Sequence, residues 1–273
     1  MPMQSDSKIG LIAGAGDLPQ RVIEEYLKTG REIFVISIGA TPPESLGKVP
    51  HIILPLGSVG KAIKSLRCEN VKDIVFAGAI KRPNFKALRP DAGGMKLLAK
   101  VSAAKFSGDN SLLAIVIKFF EDSGFNVVGV DQILSSLLMP FGVLGKMEPN
   151  KSALRDIDVG MDVARAVGNL DVGQSVVVQH GNVIGVEAVE GTDALMHRCA
   201  KLQTEGGGGV LVKMKKPVQD KRVDLPTIGV TTIINAYNAN LRGLAIEAGA
   251  ALIVDKDNVV EKADSLGLFV VGV

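Results

Sequence analysis

The stretch Ile9 to Pro19, which reads IGLIAGAGDLP, decides the fold of the amino-terminal half of this chain. Its first five residues form an apolar run typical of a buried β-strand, and the glycines that follow permit a tight turn. Residues 20–29 then carry apolar side chains with the period of an amphipathic helix. Strand, glycine turn and helix in this order begin a Rossmann-like unit, so we predict an α/β fold with a parallel sheet.

The same alternation continues downstream of this unit. Strands are predicted at 32–38, 73–77 and 126–130, and helices at 59–67, 96–105 and 110–123. Between residues 134 and 150 the chain carries Pro140, Gly142, Gly145, Pro149 and Asn150, a density of breakers typical of a linker. We therefore predict a Rossmann-like nucleotide-binding domain at 1–133, a linker at 134–150 and a second domain at 151–273.

The second domain is predicted to be mixed α/β. Two apolar strands, 175–179 and 183–188, flank the turn sequence His180-Gly181-Asn182 and indicate a hairpin. Helices are predicted at 156–167, 232–240 and 259–266, and further strands at 210–214, 243–247, 251–254 and 268–271.

Composition excludes several classes of protein. The net charge of +2 over 273 residues, with two Tyr and no Trp, does not indicate a nucleic-acid binder. Cys68 and Cys199 lack the spacing of a zinc or redox site, and residues 1–8 lack the regions of a signal peptide. No apolar run reaches the ~20 residues of a membrane-spanning helix. We expect a cytoplasmic protein that does not span a bilayer, although it could still touch one.

The glycine turn is a candidate nucleotide site. Backbone groups after the first strand can approach a diphosphate closely, and the helix that follows offers N–H donors. However, Pro19 replaces the third glycine of the dinucleotide motif, and the second strand ends in Ser37-Ile38-Gly39 without the acid that would hold an NAD ribose. A tight turn without a ligand stays open as an alternative. The candidate contacts here and in the loop after the strand 73–77 are Gly14, Ala15, Gly16, Asp17, Leu18, Gly78 and Arg82.

Three carboxylates, Glu187, Glu190 and Asp193, lie at a strand end and in the turn beyond it. Oxygen ligands at this spacing can hold Mg²⁺, which prefers one or two carboxylates together with water and substrate phosphate. The alternative is that Thr192 or Asp193 only caps a helix over 194–202.

A second polar stretch begins at Lys213. Lys213 and Lys215 alternate on a predicted strand, so they would point to one face, and Arg222 and Asp224 follow in a loop bounded by Pro217 and Pro226. Cations on one face next to acids resemble a phosphate clamp. The alternative is a solvated strand edge protected by lysines.

Other hydrolase classes lack their signatures. His51, His180 and His197 have no spacing that suggests a metal site or a triad, and neither GxSxG nor HExxH occurs. We therefore set aside serine hydrolase and zinc protease chemistry.

An ordered set of motifs spans nearly the whole chain, from Ile9 to Gly272. The motifs are Gly10 to Pro19, Ala77-Gly78 with Arg82-Pro83, Asp171 to Gln174, Glu187 with Glu190 to Asp193, Lys215 to Pro217 with Gln219-Asp220, and Arg222 to Gly229. Together they resemble the LpxI-type UDP-2,3-diacylglucosamine pyrophosphatases.

This resemblance implies a hydrolase of lipid A biosynthesis that splits the diphosphate of UDP-2,3-diacylglucosamine into UMP and 2,3-diacylglucosamine 1-phosphate, lipid X, with Mg²⁺. It implies two domains with the active site between them, a homodimer, and action at the cytoplasmic face of the inner membrane as a peripheral protein. The Asp-Leu-Pro-Thr motif places the essential acid at Asp224. Gln174, Thr192 and Thr227, within the shared motifs, become candidate substrate contacts.

A mechanism follows as a hypothesis. Mg²⁺ held by Asp224 with Glu187, Glu190 or Asp193 would polarise the diphosphate and activate a water. Lys213, Lys215 or Arg222 would then neutralise charge on the leaving phosphate. Two acyl chains require an apolar groove, which we expect in the second domain or at the domain junction. A non-catalytic nucleotide-sugar or lipid-binding protein is the alternative from another class, and a nicotinamide-dependent oxidoreductase would depend on the glycine turn alone.

Overall fold

The computed structural model describes residues 8–39, 44–80, 88–103, 109–217, 222 and 225–273, without the side chains of 109–111. The chain forms two compact units. The first runs to residue 135 and takes in Arg222, and the second holds residues 136–217 and 225–273.

A five-stranded sheet is the centre of the first unit. Its strands are β1 (Ile9–Ala13), β2 (Ile33–Ile38), β3 (His51–Leu54), β4 (Asp73–Ala77) and β5 (Asn126–Val127). The strand order is β3-β2-β1-β4-β5, and every neighbouring pair is parallel. This is the doubly wound order of a Rossmann-like sheet, so the predicted parallel sheet is confirmed.

The helices of the first unit are α1 (Leu18–Lys28), α2 (Val59–Cys68), α3 (Ala92–Ala103), α4 (Asp109–Asp122) and α5 (Val130–Ile133), with a 3₁₀ turn at Glu44–Lys48. Apolar side chains of α2 and α4, among them Leu66 and Phe120, pack against Ile36 and Ile74 of the sheet. Burial of this apolar surface is the main stabilising term of the unit.

One carboxylate joins two helices of this unit. The side chain of Asp91 accepts N–H groups from Gly60 and Lys61 in the first turn of α2 and from Gly94 in the first turn of α3, at 2.8–2.9 Å. Asp91 therefore satisfies backbone donors that each helix leaves without a partner at its start.

The second unit contains a six-stranded mixed sheet and a small two-stranded one. Its strands are β6 (Gly142–Leu144), β7 (Ser175–Gln179), β8 (Asn182–Val186), β9 (Val210–Lys213), β10 (Thr227–Ile228), β11 (Gly243–Ile246), β12 (Leu252–Ile253) and β13 (Phe269–Gly272). The large sheet has the order β6-β13-β11-β9-β7-β8, with β9, β11 and β13 parallel to one another. Strands β10 and β12 pair in parallel.

Helices cover both faces of the large sheet. They are α6 (Lys151–Asn169), α7 (Thr192–Cys199), α8 (Val230–Asn238) and α9 (Lys256–Leu266), and a 3₁₀ turn lies at Ser135–Leu137. Helix α6 packs on the face that carries Val176 and Val212, and α7, α8 and α9 pack on the face that carries Val177 and Leu211. None of the helices in the described part of the chain is long and apolar enough to cross a membrane.

The predicted hairpin is confirmed. Strands β7 and β8 are antiparallel, and the two residues between them, His180 and Gly181, have φ angles of 52° and 76°. Positive φ at both positions is the geometry of the tight turn that matches the twist of a hairpin.

Several local predictions were wrong. The segment predicted as a linker, 134–150, contains β6, which pairs antiparallel with β13 at the edge of the large sheet. The helix predicted at 156–167 begins at Lys151, because the side chain of Asn150 accepts the N–H of Ala153 and caps it. The strand predicted at 126–130 ends at Val127, and β3 was not predicted.

Candidate active site

Polar residues line one edge of the large sheet, where β9 and β11 end and β7 begins. Ser175, the first residue of β7, lies opposite Lys213, the last residue of β9. The backbone N–H of Glu187, just beyond β8, donates to the carbonyl oxygen of Ser175 at 2.8 Å. Glu187, Ser175 and Lys213 thus form a row across three neighbouring strands.

These side chains form a buried hydrogen-bond network. Glu187, Ser175 and Lys213 are 7%, 0% and 6% exposed. Nζ of Lys213 donates to Oγ1 of Thr192 at 3.0 Å, and the Thr192 hydroxyl donates to Oε1 of Glu187 at 3.1 Å. The hydroxyl of Ser175 lies 3.1 Å from the same Thr192 oxygen. One cation and one carboxylate therefore meet at a single hydroxyl in a water-poor environment.

Thr192 does not act as a helix cap. Gly191 is the N-cap residue of α7, with φ 81°, and Thr192 is the first residue of the helix. The positive φ at position 191 favours glycine. The helix thus begins two residues earlier than predicted, and the Thr192 hydroxyl faces the sheet edge.

Within the described part of the chain, neither Glu190 nor Asp193 shares a side-chain hydrogen bond with this network. Asp193 is exposed in the first turn of α7. Glu190 accepts from the guanidinium of Arg198 at 3.0 Å and from the N–H of Ala188 at 3.1 Å. Hydrogen bonds from its own backbone N–H and from Arg198 hold the pKa of Glu190 below its ordinary value. Glu190 is therefore ion-paired with Arg198 rather than with Lys213.

Two further predicted residues contact the network through backbone groups. The N–H of Gln174 lies 3.4 Å from Oε2 of Glu187, and the carbonyl oxygen of Thr227 lies 3.4 Å from Nζ of Lys213. The side-chain Oε1 of Gln174 is buried and, within the described part of the chain, has no hydrogen-bond partner. Gln174 and Thr227 thus contact the same network as Lys213 and Glu187.

Lys215 differs from the prediction. Strand β9 ends at Lys213, so the two lysines do not alternate along one strand. The backbone N–H of Lys215 donates to Oε2 of Glu247 at 2.6 Å. Glu247 follows β11, and its own N–H donates to the carbonyl oxygen of Lys213. We did not predict Glu247 or Ser175 as site residues; the signal that could have found them is their position at strand ends next to β9.

Arg222 belongs to the first unit, whereas Lys213 and Lys215 belong to the second. Its guanidinium pairs with the carboxylate of Glu121, near the end of α4, at 2.6 Å. Asp224 and Arg82 are outside the described residues.

The first unit has its own candidate crevice, at the carboxyl ends of β1 and β4, where the strand order reverses. The loops after these strands are joined by hydrogen bonds in both directions between Ala15 and Ala79, at 2.8 and 2.9 Å. A Cβ on Gly14 would lie 2.6 Å from the carbonyl oxygen of Ala79, and one on Gly78 would lie 2.7 Å from that of Ala15. These two glycines are therefore required by contact between the loops.

Gly16 differs from its neighbours. It has φ 95°, and no described atom lies within 4 Å of the place where its Cβ would be. Asp17 is exposed, precedes α1 and makes no side-chain cap, and Leu18 opens the helix. Of this loop, the open space at Gly16 and the start of α1 are the parts that a ligand could approach.

Comparison with known families assigns both units. A family model described as the LpxI N-terminal domain matches residues 8–137, and one described as the LpxI C-terminal domain matches residues 140–271. The chain belongs to the LpxI family. A relative from Caulobacter vibrioides, "UDP-2,3-diacylglucosamine pyrophosphatase LpxI", is 44% identical over an alignment of 272 residues, and the match covers 97% of this chain and 97% of the relative.

Two solved structures of another enzyme match only part of the chain. The Bordetella bronchiseptica enzyme WbmG, solved with NAD and also with NAD and UDP, has a TM-score of 0.30 and 21% identity. The match covers 45% and 44% of this chain and 36% of each WbmG chain. A likeness of this size supports no conclusion about ligands.

The side chains predicted to bind Mg²⁺ can now be compared with those that the structure brings together. Among the described residues, no three His, Cys, Asp or Glu side chains gather as metal ligands. Glu187 is bonded to Thr192 and Gln174 beside a lysine, and Glu190 is bonded to Arg198. The described part of the predicted ligand set therefore does not fit Mg²⁺ by itself.

Proposed function

We propose that this protein hydrolyses the diphosphate of UDP-2,3-diacylglucosamine to UMP and 2,3-diacylglucosamine 1-phosphate, lipid X, as a step of lipid A biosynthesis. The observation that carries the proposal is the 44% identity, over 97% of both chains, to a relative that bears the name of this activity. In the reaction, water adds to one phosphorus, the bond to the bridging oxygen breaks, and that oxygen leaves with the other phosphate.

The network at the edge of the large sheet supports phosphate chemistry. Lys213 carries a positive charge in a site that is 6% exposed, where charge interactions are much stronger than in water. A cation held in such a site stabilises negative charge that develops on a leaving phosphate. We propose that Lys213 has this role and that Lys215 lies near enough along the chain to contribute to phosphate binding.

The essential acid is proposed to be Asp224, on the strength of the Asp-Leu-Pro-Thr motif. Pro226 and Thr227, which directly follow in this motif, are held in the second unit, since the carbonyl oxygen of Pro226 accepts the N–H of Leu252 at 2.7 Å. We also propose that Mg²⁺ takes part, with Asp224 and the substrate's own phosphate oxygens as its ligands. The role proposed for Lys213 does not require the metal ion.

The remaining parts of the proposal concern the nucleotide, the lipid and the partners. The space at Gly16 and the start of α1 would suit a uridine nucleotide phosphate. We also propose an apolar groove for the acyl chains, a homodimer, and peripheral binding at the cytoplasmic surface of the inner membrane, where the lipid substrate resides.

The deciding experiment is incubation of the purified protein with UDP-2,3-diacylglucosamine, with Mg²⁺ or with EDTA, followed by mass spectrometry of UMP and lipid X. We expect both products with Mg²⁺ and their loss in EDTA. Asp224→Ala should abolish turnover, and Asp257→Ala, at an exposed position in α9, should not. Absence of UMP would refute the proposed function, and retention of the lipid without turnover would favour a binding protein.

A further inference from the structure

We infer that Glu187 and Thr192 are positioning residues for Lys213, and that neither contacts the metal or the substrate. The inference rests on the proposed function, because it assigns these residues their parts in phosphate binding. It replaces the roles that the sequence pattern gave them, a metal ligand and a substrate contact.

The hydrogen-bond capacity of Thr192 carries the first step. A hydroxyl has one proton to donate and two lone pairs that accept. Thr192 donates its proton to Oε1 of Glu187, since a carboxylate has none to give. Its two lone pairs then accept from Nζ of Lys213 and from the hydroxyl of Ser175. The proton and both lone pairs of the hydroxyl are thus used by protein groups, so no hydrogen-bonding position is left for a substrate oxygen.

The surroundings of Glu187 carry the second step. Oε1 accepts from Thr192 and Oε2 lies 3.4 Å from the N–H of Gln174. A carboxylate that is 7% exposed requires an opposite charge nearby, and Lys213 is bound to the same hydroxyl. Glu187 therefore neutralises a lysine through a shared threonine, which is a different role from coordination of a divalent cation.

The backbone around the network fixes these positions. A Cβ on Gly173 would lie 2.0 Å from the carbonyl oxygen of Glu187, so glycine is required where β7 begins against this residue. Gly191, with φ 81°, turns the chain so that Thr192 opens α7 at the sheet edge. The lysine itself is flexible, and immobilising its side chain costs about 1.5–2 kcal/mol of rotamer entropy. The bonds to Thr192 and to the Thr227 carbonyl oxygen offset that cost.

The test separates a positioning residue from a substrate contact by kinetics. Thr192→Val removes the hydroxyl with little change in volume, and Glu187→Gln removes the charge. We expect kcat for UDP-2,3-diacylglucosamine to fall 10- to 100-fold with KM changed less than threefold. Thr192→Ser keeps the hydroxyl and should retain at least half of kcat. Thr231→Val, exposed on α8, and Glu261→Gln, exposed on α9, are the matched controls. A KM that rises tenfold with kcat unchanged would make Thr192 a substrate contact and overturn the inference.

Binding of inorganic pyrophosphate, measured by titration calorimetry, keeps the inference separate from the proposed function. A terminal phosphate of pyrophosphate carries the extra negative charge that also develops on the leaving phosphate, whereas the intact substrate does not. We therefore expect Lys213→Met and Thr192→Val to weaken pyrophosphate binding at least tenfold even where KM changes little, while Thr192→Ser binds like the parent protein. If the parent protein binds pyrophosphate in this way but does not hydrolyse the lipid substrate, only the proposed function fails. If Thr192→Val binds pyrophosphate as well as the parent protein, or if the parent protein does not bind it, the inference fails. Thermal unfolding of each variant shows that it is folded.

Discussion

Ser175 and Lys213 lie directly opposite each other on the antiparallel strands β7 and β9. Opposite residues of such a pair point to the same face of the sheet, which here is the face covered by α7. Both side chains therefore reach the hydroxyl of Thr192 at the start of that helix. The sheet register brings together residues 175, 192 and 213, although they are far apart in the sequence.

The first prediction concerns charge balance in the network. Lys213→Met leaves the carboxylate of Glu187 buried without its cation, so we expect the free energy of unfolding to fall by about 2–4 kcal/mol. We also expect kcat to fall roughly 10²- to 10³-fold, because a donor to developing phosphate charge is lost. Urea unfolding and steady-state turnover measure the two effects.

The double variant Lys213→Met with Glu187→Gln is the control for this prediction. It removes both charges, so we expect it to recover most of the lost stability but none of the lost activity. If the double variant is less stable than Lys213→Met alone, the two charges do not compensate each other.

The second prediction concerns the close approach of backbone at Gly173. Its Cβ would lie 2.0 Å from the carbonyl oxygen of Glu187, and backbone cannot yield as a flexible side chain does. We expect Gly173→Ala to lower the free energy of unfolding by about 1–3 kcal/mol and to lower kcat at least tenfold by displacing Glu187. Gly47→Ala, where no described atom lies within 4 Å of the added carbon, should change stability by less than about 0.5 kcal/mol. Equal effects of the two substitutions would refute the steric argument.

The parts of the fold that sequence predicted were those with a strong local signal. The apolar run IGLIA predicted β1, and the amphipathic stretch after the glycine turn predicted α1. The turn sequence His180-Gly181-Asn182 between two apolar strands predicted the hairpin. Strands β3 and β6 were missed because they are short, lie at sheet edges and are partly exposed. Such strands are held by pairing with a neighbour, β2 or β13, and that neighbour leaves no mark on their own sequence.

The candidate site was predictable to a similar extent. A lysine that follows the apolar run Val210 to Val212, and an acid just beyond β8, stood out locally as Lys213 and Glu187. Ser175 and Glu247 did not, because a serine at a strand start and a glutamate at a strand end are common, and only the strand register places them next to Lys213. The alternation of Lys213 and Lys215 failed as a signal because β9 ends between them.

The third prediction concerns the ion pair of Arg222 and Glu121. Arg222 lies two residues before the proposed essential acid, and its guanidinium contacts Glu121 at 2.6 Å. We expect the pair to hold Arg222 in place, so Glu121→Gln should lower kcat several-fold. The free energy of unfolding should change by at most about 1 kcal/mol, since the two side chains are 35% and 40% exposed. Glu25→Gln, which removes the exposed pair with Lys28, is the matched control.

Exchange of the two charges tests whether this pair or a phosphate contact accounts for the effect. The swap Glu121→Arg with Arg222→Glu restores an opposite-charge pair, so we expect it to recover turnover relative to Arg222→Glu alone. An arginine that contacts phosphate would give the opposite result, because the swap puts a carboxylate in its place. If the double variant turns over no faster than Arg222→Glu alone, the ion pair does not explain the effect, and Arg222 is better explained as a phosphate contact.

The last prediction concerns the pH dependence of stability through Asp91, which joins α2 and α3. Partial burial alone would raise the pKa of this carboxyl. Hydrogen bonds from the N–H groups of Gly94, Gly60, Lys61 and Gly93 outweigh that effect and hold the pKa below its ordinary value. A group whose pKa is lower in the folded state stabilises the fold above its unfolded pKa, and the contribution disappears as the pH falls through the folded pKa. Loss of a helix cap costs about 0.5–2 kcal/mol, and Asp91 serves two helices. We therefore expect Asp91→Ala to be about 1–3 kcal/mol less stable than the parent protein at pH 7.

Urea unfolding of the parent protein and Asp91→Asn between pH 3 and pH 7 measures the charge-dependent part. Their difference in unfolding free energy should be constant from pH 5 to pH 7 and should shrink below about pH 4, because protonation removes the charge that asparagine lacks. Asp162→Asn, at a side chain that is 85% exposed, should show no comparable change. A difference between the parent protein and Asp91→Asn that stays the same down to pH 3 would mean that the charge of Asp91 contributes nothing, and that only the geometry of its oxygens joins the two helices.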